Sequence, residues 1–77
     1  MEAKIYGTPR CSWCVRVAKI LEDRKVTVEK IDVSESKDLI KEMQKAAEEK
    51  VTTVPQVIID GKYIGGYTEV ERFLNRL

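Results

Sequence analysis

The stretch VPQVIIDGKYIGG, Val54 to Gly66, limits the fold more than any other part of the chain. Its first half is an apolar run suited to a strand buried on both faces. Asp60-Gly61 follows, and Asp-Gly between two strand-like runs is a strong hairpin signal. KYIGG then reads as the returning strand. After it, Thr68 stands three residues before Glu71, the spacing of a capping box that opens a helix. The apolar face of that helix is Val70, Phe73, Leu74 and Leu77.

The first half of the chain supplies the other elements. AKIY ends at Gly7 as a short strand does, and TPR follows as a loop. Val15, Val17, Ala18 and Leu21 recur at helical spacing, which predicts a helix from about Ser12 to Arg24. VTVEKIDV returns to the alternation of a strand. Ser34 or Ser36 can cap the next helix, KDLIKEMQKAAEEK, whose stripe is Leu39, Ile40, Met43 and Ala47. Its lysines and glutamates read as a solvated face. The order βαβαββα gives an α/β fold, with a four-stranded mixed sheet and three helices on its faces. Seventy-seven residues hold one domain, spanning 1–77.

The charge balance narrows the function. A net charge of +1 gives no reason to expect nucleic acid or an anionic membrane as a partner. No apolar run approaches the ~20 residues that a membrane helix needs. MEAKIYG lacks the apolar core and cleavage site of an export signal, so the expected compartment is the cytoplasm. Stable structural disulfides are rare there.

Against that background stand the two cysteines, Cys11 and Cys14, in TPRCSWCVR. A structural staple closing so short a loop would contribute roughly 2 kcal/mol and pin nothing remote. A zinc site usually takes four ligands, and a chain with two cysteines and no histidine gives no such set, so no metal is expected. A redox dithiol needs two thiols close enough to bridge, one of them at a helix N-terminus. Residues three apart share a helical face, so the pair meets both conditions. Helix N-termini carry unpaired N–H groups and partial positive charge that favour a thiolate. Arg10 and Arg16 add cations nearby. Cys11, at the outer end, is therefore the expected nucleophile, and Cys14, one turn inside, the expected resolving thiol.

IYGTPRCSWC, TVPQVIIDGKYIGG and the last helix, in that order and spacing, resemble the glutaredoxins, short members of the thioredoxin superfamily. The resemblance runs from about Ala3 to Leu77. It implies a thioredoxin-like fold and a glutathione-linked thiol–disulfide oxidoreductase that reduces protein disulfides and glutathione mixed disulfides. It implies a cis bond at Pro55, facing the cysteines. It assigns glutathione contacts to Arg10, Trp13, Thr53, Val54, Pro55, Gly66, Tyr67 and Thr68. A proline leaves the backbone of Val54 free to pair with an extended peptide ligand. Gly66 permits close approach, and the N–H groups of Tyr67 and Thr68 suit a carboxylate at the helix start.

The chain departs from the family pattern at three places. The commonest dithiol motif has proline and tyrosine between the cysteines, where this chain has Ser12 and Trp13. Loss of that proline is associated with members that bridge an iron–sulfur cluster between two subunits, with glutathione as co-ligand. Trp13 can screen the site or pack on a substrate. A lysine often precedes the first cysteine, where this chain has Thr8, and Arg10 is the replacement cation. The expected protein is a monomer that uses glutathione as co-substrate and no resident cofactor. Its partners are disulfide-containing proteins and a glutathione or thioredoxin reductase system. The alternatives are a small redoxin reduced by thioredoxin reductase, feeding ribonucleotide reductase or a similar enzyme, and a glutathione-dependent iron–sulfur carrier. The small redoxins carry a W-S-G-F-type stretch where this chain has IGGYTE.

Overall fold

A computed structural model describes all residues, 1–77. The elements run β1 (Glu2–Gly7), α1 (Ser12–Asp23), β2 (Thr27–Asp32), α2 (Lys37–Ala47), β3 (Gln56–Ile59), β4 (Lys62–Gly65) and α3 (Tyr67–Asn75). The expected βαβαββα order holds. The sheet order is β2-β1-β3-β4. β1 pairs with β2 in parallel, joined through α1. The β1–β3 and β3–β4 pairs are antiparallel.

Side-chain alternation along β1 distributes the core. Ala3 and Ile5 join Val57 and Ile59 of β3 against Val17, Ala18 and Leu21 of α1 and Val70 and Leu74 of α3. Tyr6 belongs to a second cluster, with Val33 and Met43, on which Leu39 and Ile40 of α2 also pack. One residue's step along a strand therefore separates the α1/α3 layer from the α2 layer. The buried Tyr6 hydroxyl donates to Glu42 Oε2 at 2.9 Å, tying the central strand to α2. Burial first, then that carboxylate, pushes the Tyr6 phenol up to about 12.

Local signals account for most boundaries. The hairpin turns at Asp60 (φ 49°) and Gly61 (φ 81°), both in the left-handed region that a two-residue type I′ turn requires. Asp60 Oδ1 also accepts from the Glu2 N–H at 2.9 Å, fastening the hairpin to the start of β1. Of the two candidate serines, Ser36 caps α2, accepting from the Asp38 N–H at 3.0 Å, while Ser34 is engaged with Asp32.

Three boundary expectations are corrected. First, α2 ends at Ala47 and does not continue to Lys50. Glu48 turns left-handed at φ 58°, and the Glu49 N–H bonds back to Gln44 O at 3.3 Å. The turn lets Gln44 Nε2 donate to Val51 O at 3.1 Å, bringing Val51 onto the Met43 cluster. Second, Thr68 does not cap α3. The cap is Gly66, and Glu69 reaches back to accept from the Gly66 N–H at 2.8 Å. The box sits two residues earlier than Thr68 and Glu71 suggest, because Gly65, at φ 129°, turns the chain directly out of β4. Third, Leu77 lies past the end of α3 and is 68% exposed, so it adds nothing to the core.

The corrected cap has a direct test. Glu69→Ala should lower stability by about 1 kcal/mol through the lost cap and helix-terminus charge. Thr68→Ala should stay within about 0.5 kcal/mol of wild type. Urea denaturation of both variants measures the difference, and equal losses would restore Thr68 as a cap.

Candidate functional site

The site starts where β1 stops. Gly7 ends the strand, and a short loop through Thr8, Pro9 and Arg10 delivers Cys11 to the N-cap of α1. Cys11 Sγ accepts a hydrogen bond from the Cys14 N–H at 3.2 Å, so the sulfur itself caps the helix. Its thiol proton faces Val54 O at 3.8 Å, a weak contact.

Cys14 lies one turn inside, facing the core side, and is 8% exposed. Both sulfurs are free thiols. Burial, and next the hydrogen bond with Cys11, push the Cys14 thiol up to about 11, although a backbone hydrogen bond from Thr8 opposes the shift. The two thiols are thus unequal in the way the nucleophile and resolving assignments expect: one at the surface and helix-capping, the other buried and held protonated.

Gly7, which the sequence marks only as the end of the first strand, makes this arrangement possible. A Cβ at Gly7 would sit 2.6 Å from Cys14 Sγ and 3.2 Å from Cys14 Cβ. Only a residue without a side chain allows α1 to bring its second cysteine onto the strand end.

The loop before β3 completes the site from the other side. The Val54–Pro55 bond is cis, and Val54 O is the carbonyl that faces Cys11. A groove of about 310 Å³ runs beside it, lined by Trp13, Thr53, Val54, Pro55, Gln56, Tyr63, Gly66, Tyr67, Thr68 and Glu69. Seven of the residues named from sequence thus come together on one concave surface. Arg10 does not: it is exposed and lies outside the groove lining. The cation at the groove's edge is Arg16, whose guanidinium sits 4.9 Å from the Trp13 ring centre. Trp13 in turn packs on Tyr67, ring centres 5.1 Å apart. At 49% exposure Trp13 is both a wall of the groove and a surface residue.

The sequence reading missed Gln56, Tyr63 and Glu69 of that lining. A polar residue inside the apolar run VPQVII was the available signal for Gln56, since buried polar side chains are there to be hydrogen-bonded. No three histidine, cysteine, aspartate or glutamate side chains converge anywhere to hold a metal ion. A bridging iron–sulfur cluster would therefore have to draw ligands from beyond this one chain. No helix is long and apolar enough to cross a membrane.

The inequality of the thiols predicts a pH profile. Near neutral pH, iodoacetamide should label Cys11 and spare Cys14, and Cys14 labelling should rise only toward pH 11. The folded state keeps the Cys14 proton above the ordinary thiol value of 9.0, where the unfolded chain loses it. Stability should accordingly fall as pH rises from 9.0 to about 11, and the Cys14→Ala variant should lack that part of the slope. Mass spectrometry and urea melts measure the two effects, and labelling of Cys14 first would reverse the assignment.

Comparisons with known proteins give the same reading. The sequence model of the glutaredoxin family matches residues 3–64. The chain is 36% identical over 75 residues to a glutaredoxin of Haemophilus influenzae, covering 91% of this chain and 86% of that protein. It is 34% identical over 74 residues to glutaredoxin 1 of Salmonella typhimurium, covering 87% and 83%. A solved structure of an Escherichia coli glutaredoxin superposes with a TM-score of 0.76 at 26% identity, over 99% of this chain and 95% of that one. With its helix-capping Cys11, buried Cys14 and thioredoxin-like sheet, the chain belongs to the glutaredoxin family of thiol–disulfide oxidoreductases.

Proposed function

We propose that the chain is a dithiol glutaredoxin that takes its electrons from glutathione and reduces protein disulfides and glutathione mixed disulfides in the cytoplasm. The groove beside Cys11 carries this reading. Its backbone edges suit a short extended peptide. Val54 presents an N–H that no backbone hydrogen bond outside the helices and strands uses, and a carbonyl engaged only by the weak thiol contact. That is the pairing an added strand requires. At the far end, the first bond of α3 is Val70 N–H to Gly66 O. The N–H groups of Tyr67 and Thr68 thus open into the groove with the positive end of the helix, a place for a carboxylate. Gly66 lies beside the cis proline here: a Cβ on it would stand at ordinary contact distance, 3.5 Å from Pro55 O.

The chemistry follows from the inequality of the thiols. Cys11 thiolate attacks one sulfur of a substrate disulfide, forming a mixed disulfide and expelling the other sulfur as thiolate. Cys14 then gives up its proton and attacks Cys11 Sγ, releasing the second substrate thiol and leaving a Cys11–Cys14 disulfide. One glutathione thiolate opens that bond at Cys11, and the electrons return a thiol to Cys14. A second glutathione attacks the glutathione sulfur on Cys11, leaving as oxidised glutathione and restoring the dithiol. Glutathionylated substrates need only Cys11, because their mixed disulfide is already with glutathione.

Two variants and one titration test this. Cys11→Ser should abolish all disulfide reduction. Cys14→Ser should retain turnover of glutathionylated substrates and lose reduction of protein disulfides, because no second thiol remains to displace the substrate. Glutathione added to the Cys11→Ser protein should shift the amides of Val54 and of residues 66–68 in nitrogen–proton correlation spectra. Unmoved amides, together with reduction by thioredoxin reductase in place of glutathione, would overturn the reading.

A further inference from the structure

Gln56 is 5% exposed, the one polar side chain buried in the core-facing half of the molecule. It makes three hydrogen bonds. Its Nε2 donates to Thr53 O at 3.0 Å and to Thr53 Oγ1 at 3.1 Å. Its Oε1 accepts from the Tyr63 hydroxyl at 2.6 Å. The amide can sit only one way round. Thr53 O is an acceptor and nothing else, so it must face the NH₂ group. Tyr63 must then be the donor to Oε1. Burial, and next the nearby Glu49 and Glu69 carboxylates, raise the Tyr63 phenol, which keeps that donor protonated.

The Gln56 amide nitrogen is turned to Thr53 and its oxygen to Tyr63, so the side chain is engaged at both ends. Its effect falls on Thr53. With a lone pair of Oγ1 taken by Nε2, the Thr53 hydroxyl proton is left to point elsewhere. Thr53 is exposed and lines the groove, so the proton's free direction is toward the groove. Each bond in such a chain polarises the next.

We infer that Tyr63 and Gln56 form a donor relay that holds Thr53 as a hydrogen-bond donor to a carboxylate of the peptide ligand in the groove. Gln56 and Tyr63 stand in the groove's lining and act as positioning residues, through the direction of one hydroxyl. The inference rests on the glutathione reading and adds a selection rule to it. The site favours an anionic group beside Thr53 because the relay removes the hydroxyl's alternative of turning inward.

The test is to reverse the relay at constant shape. In Gln56→Glu, the Tyr63 donor keeps its acceptor, but a carboxylate oxygen now faces Thr53 Oγ1 and the Thr53 carbonyl, of which only the hydroxyl has a proton to give. The Thr53 proton turns inward and the groove loses its donor. The substrates are one peptide carrying its cysteine as a glutathione mixed disulfide and, in parallel, as a 2-mercaptoethanol mixed disulfide, which lacks carboxylates. For wild type, the glutathionylated peptide should have the lower KM. Gln56→Glu should raise that KM about tenfold, the usual worth of a hydrogen bond to a charged group. It should leave kcat, and the KM for the 2-mercaptoethanol peptide, within about twofold. In a Thr53→Val background the Gln56→Glu effect should vanish, because the hydroxyl it acts through is gone. Tyr63→Phe, which keeps the amide and buries no new charge, should move the same KM in the same direction by about threefold, so a poorly folding Gln56→Glu does not decide the matter. Equal changes for both peptides, full additivity with Thr53→Val, or an unchanged KM in Tyr63→Phe would overturn the relay. A wild type without preference for the glutathionylated peptide would overturn the glutathione reading itself, and the relay's ligand with it.

Discussion

A side chain at Gly7 would collide with Cys14 Sγ, and much of the molecule follows from that contact. Because β1 ends in a residue with no side chain, α1 can begin almost on top of the strand. Cys14 then becomes the helix's first core residue, ahead of Val17, Ala18 and Leu21 on the same stripe. The apolar packing that holds α1 to the sheet also holds the Cys14 thiol out of water, the largest cause of its rise to about 11. Redox asymmetry is therefore not added to the fold by special groups. It is produced by where the amphipathic stripe of one helix starts.

The second half of the site depends on a different constraint, the entry into β3. Pro55 cannot donate to a ladder, so pairing with β1 begins at Gln56 and reaches Tyr6 only there. The residues before it are held by side chains instead. Gln56 grips Thr53, Gln44 grips Val51, and the Val54 side chain packs with the Tyr6–Met43 cluster. This fixes a stretch without secondary structure while leaving the Val54 backbone edge open, as the proposed peptide ligand requires. The bulge between Val57 and Ile58 and the turn at Gly65 bring Tyr63 and α3 around to the same wall.

Much of this was legible in the sequence, and the failures have physical causes. Asp60-Gly61 identified the hairpin because few dipeptides tolerate two left-handed residues, so the signal is nearly one-to-one. C-x-x-C located the site because its spacing matches a helical turn. The start of α3 was misread because its cap is a glycine, which has no side chain to announce it, while Thr68 and Glu71 offered a plausible box two residues late. The end of α2 was misread because Glu48, Glu49 and Lys50 are all good helix formers. The chain stops there to bring Val51 down onto the sheet, and that is a tertiary demand. Gly7 and Cys14, like Gln56 and Tyr63, meet across a loop or turn at a separation of seven residues, which no helix or strand period encodes.

The residues between the cysteines show how tightly the two halves are joined. Successive helical residues turn by about 100°, so once Cys14 points at Gly7 the directions of its neighbours are settled. Trp13 must project to one side, where it meets Tyr67 at the start of α3, and Arg16, three residues on, returns over the same ring. One turn of α1 thus carries the capping sulfur, the buried sulfur and a wall of the groove. A substitution at Trp13 cannot be confined to ligand binding, nor one at Cys14 to redox chemistry. The two rings, tilted by 56°, join the start of α1 to the start of α3. The Cys11–Cys14 disulfide of the proposed cycle would draw its atoms from that same turn, so the groove wall and the dithiol share one piece of backbone.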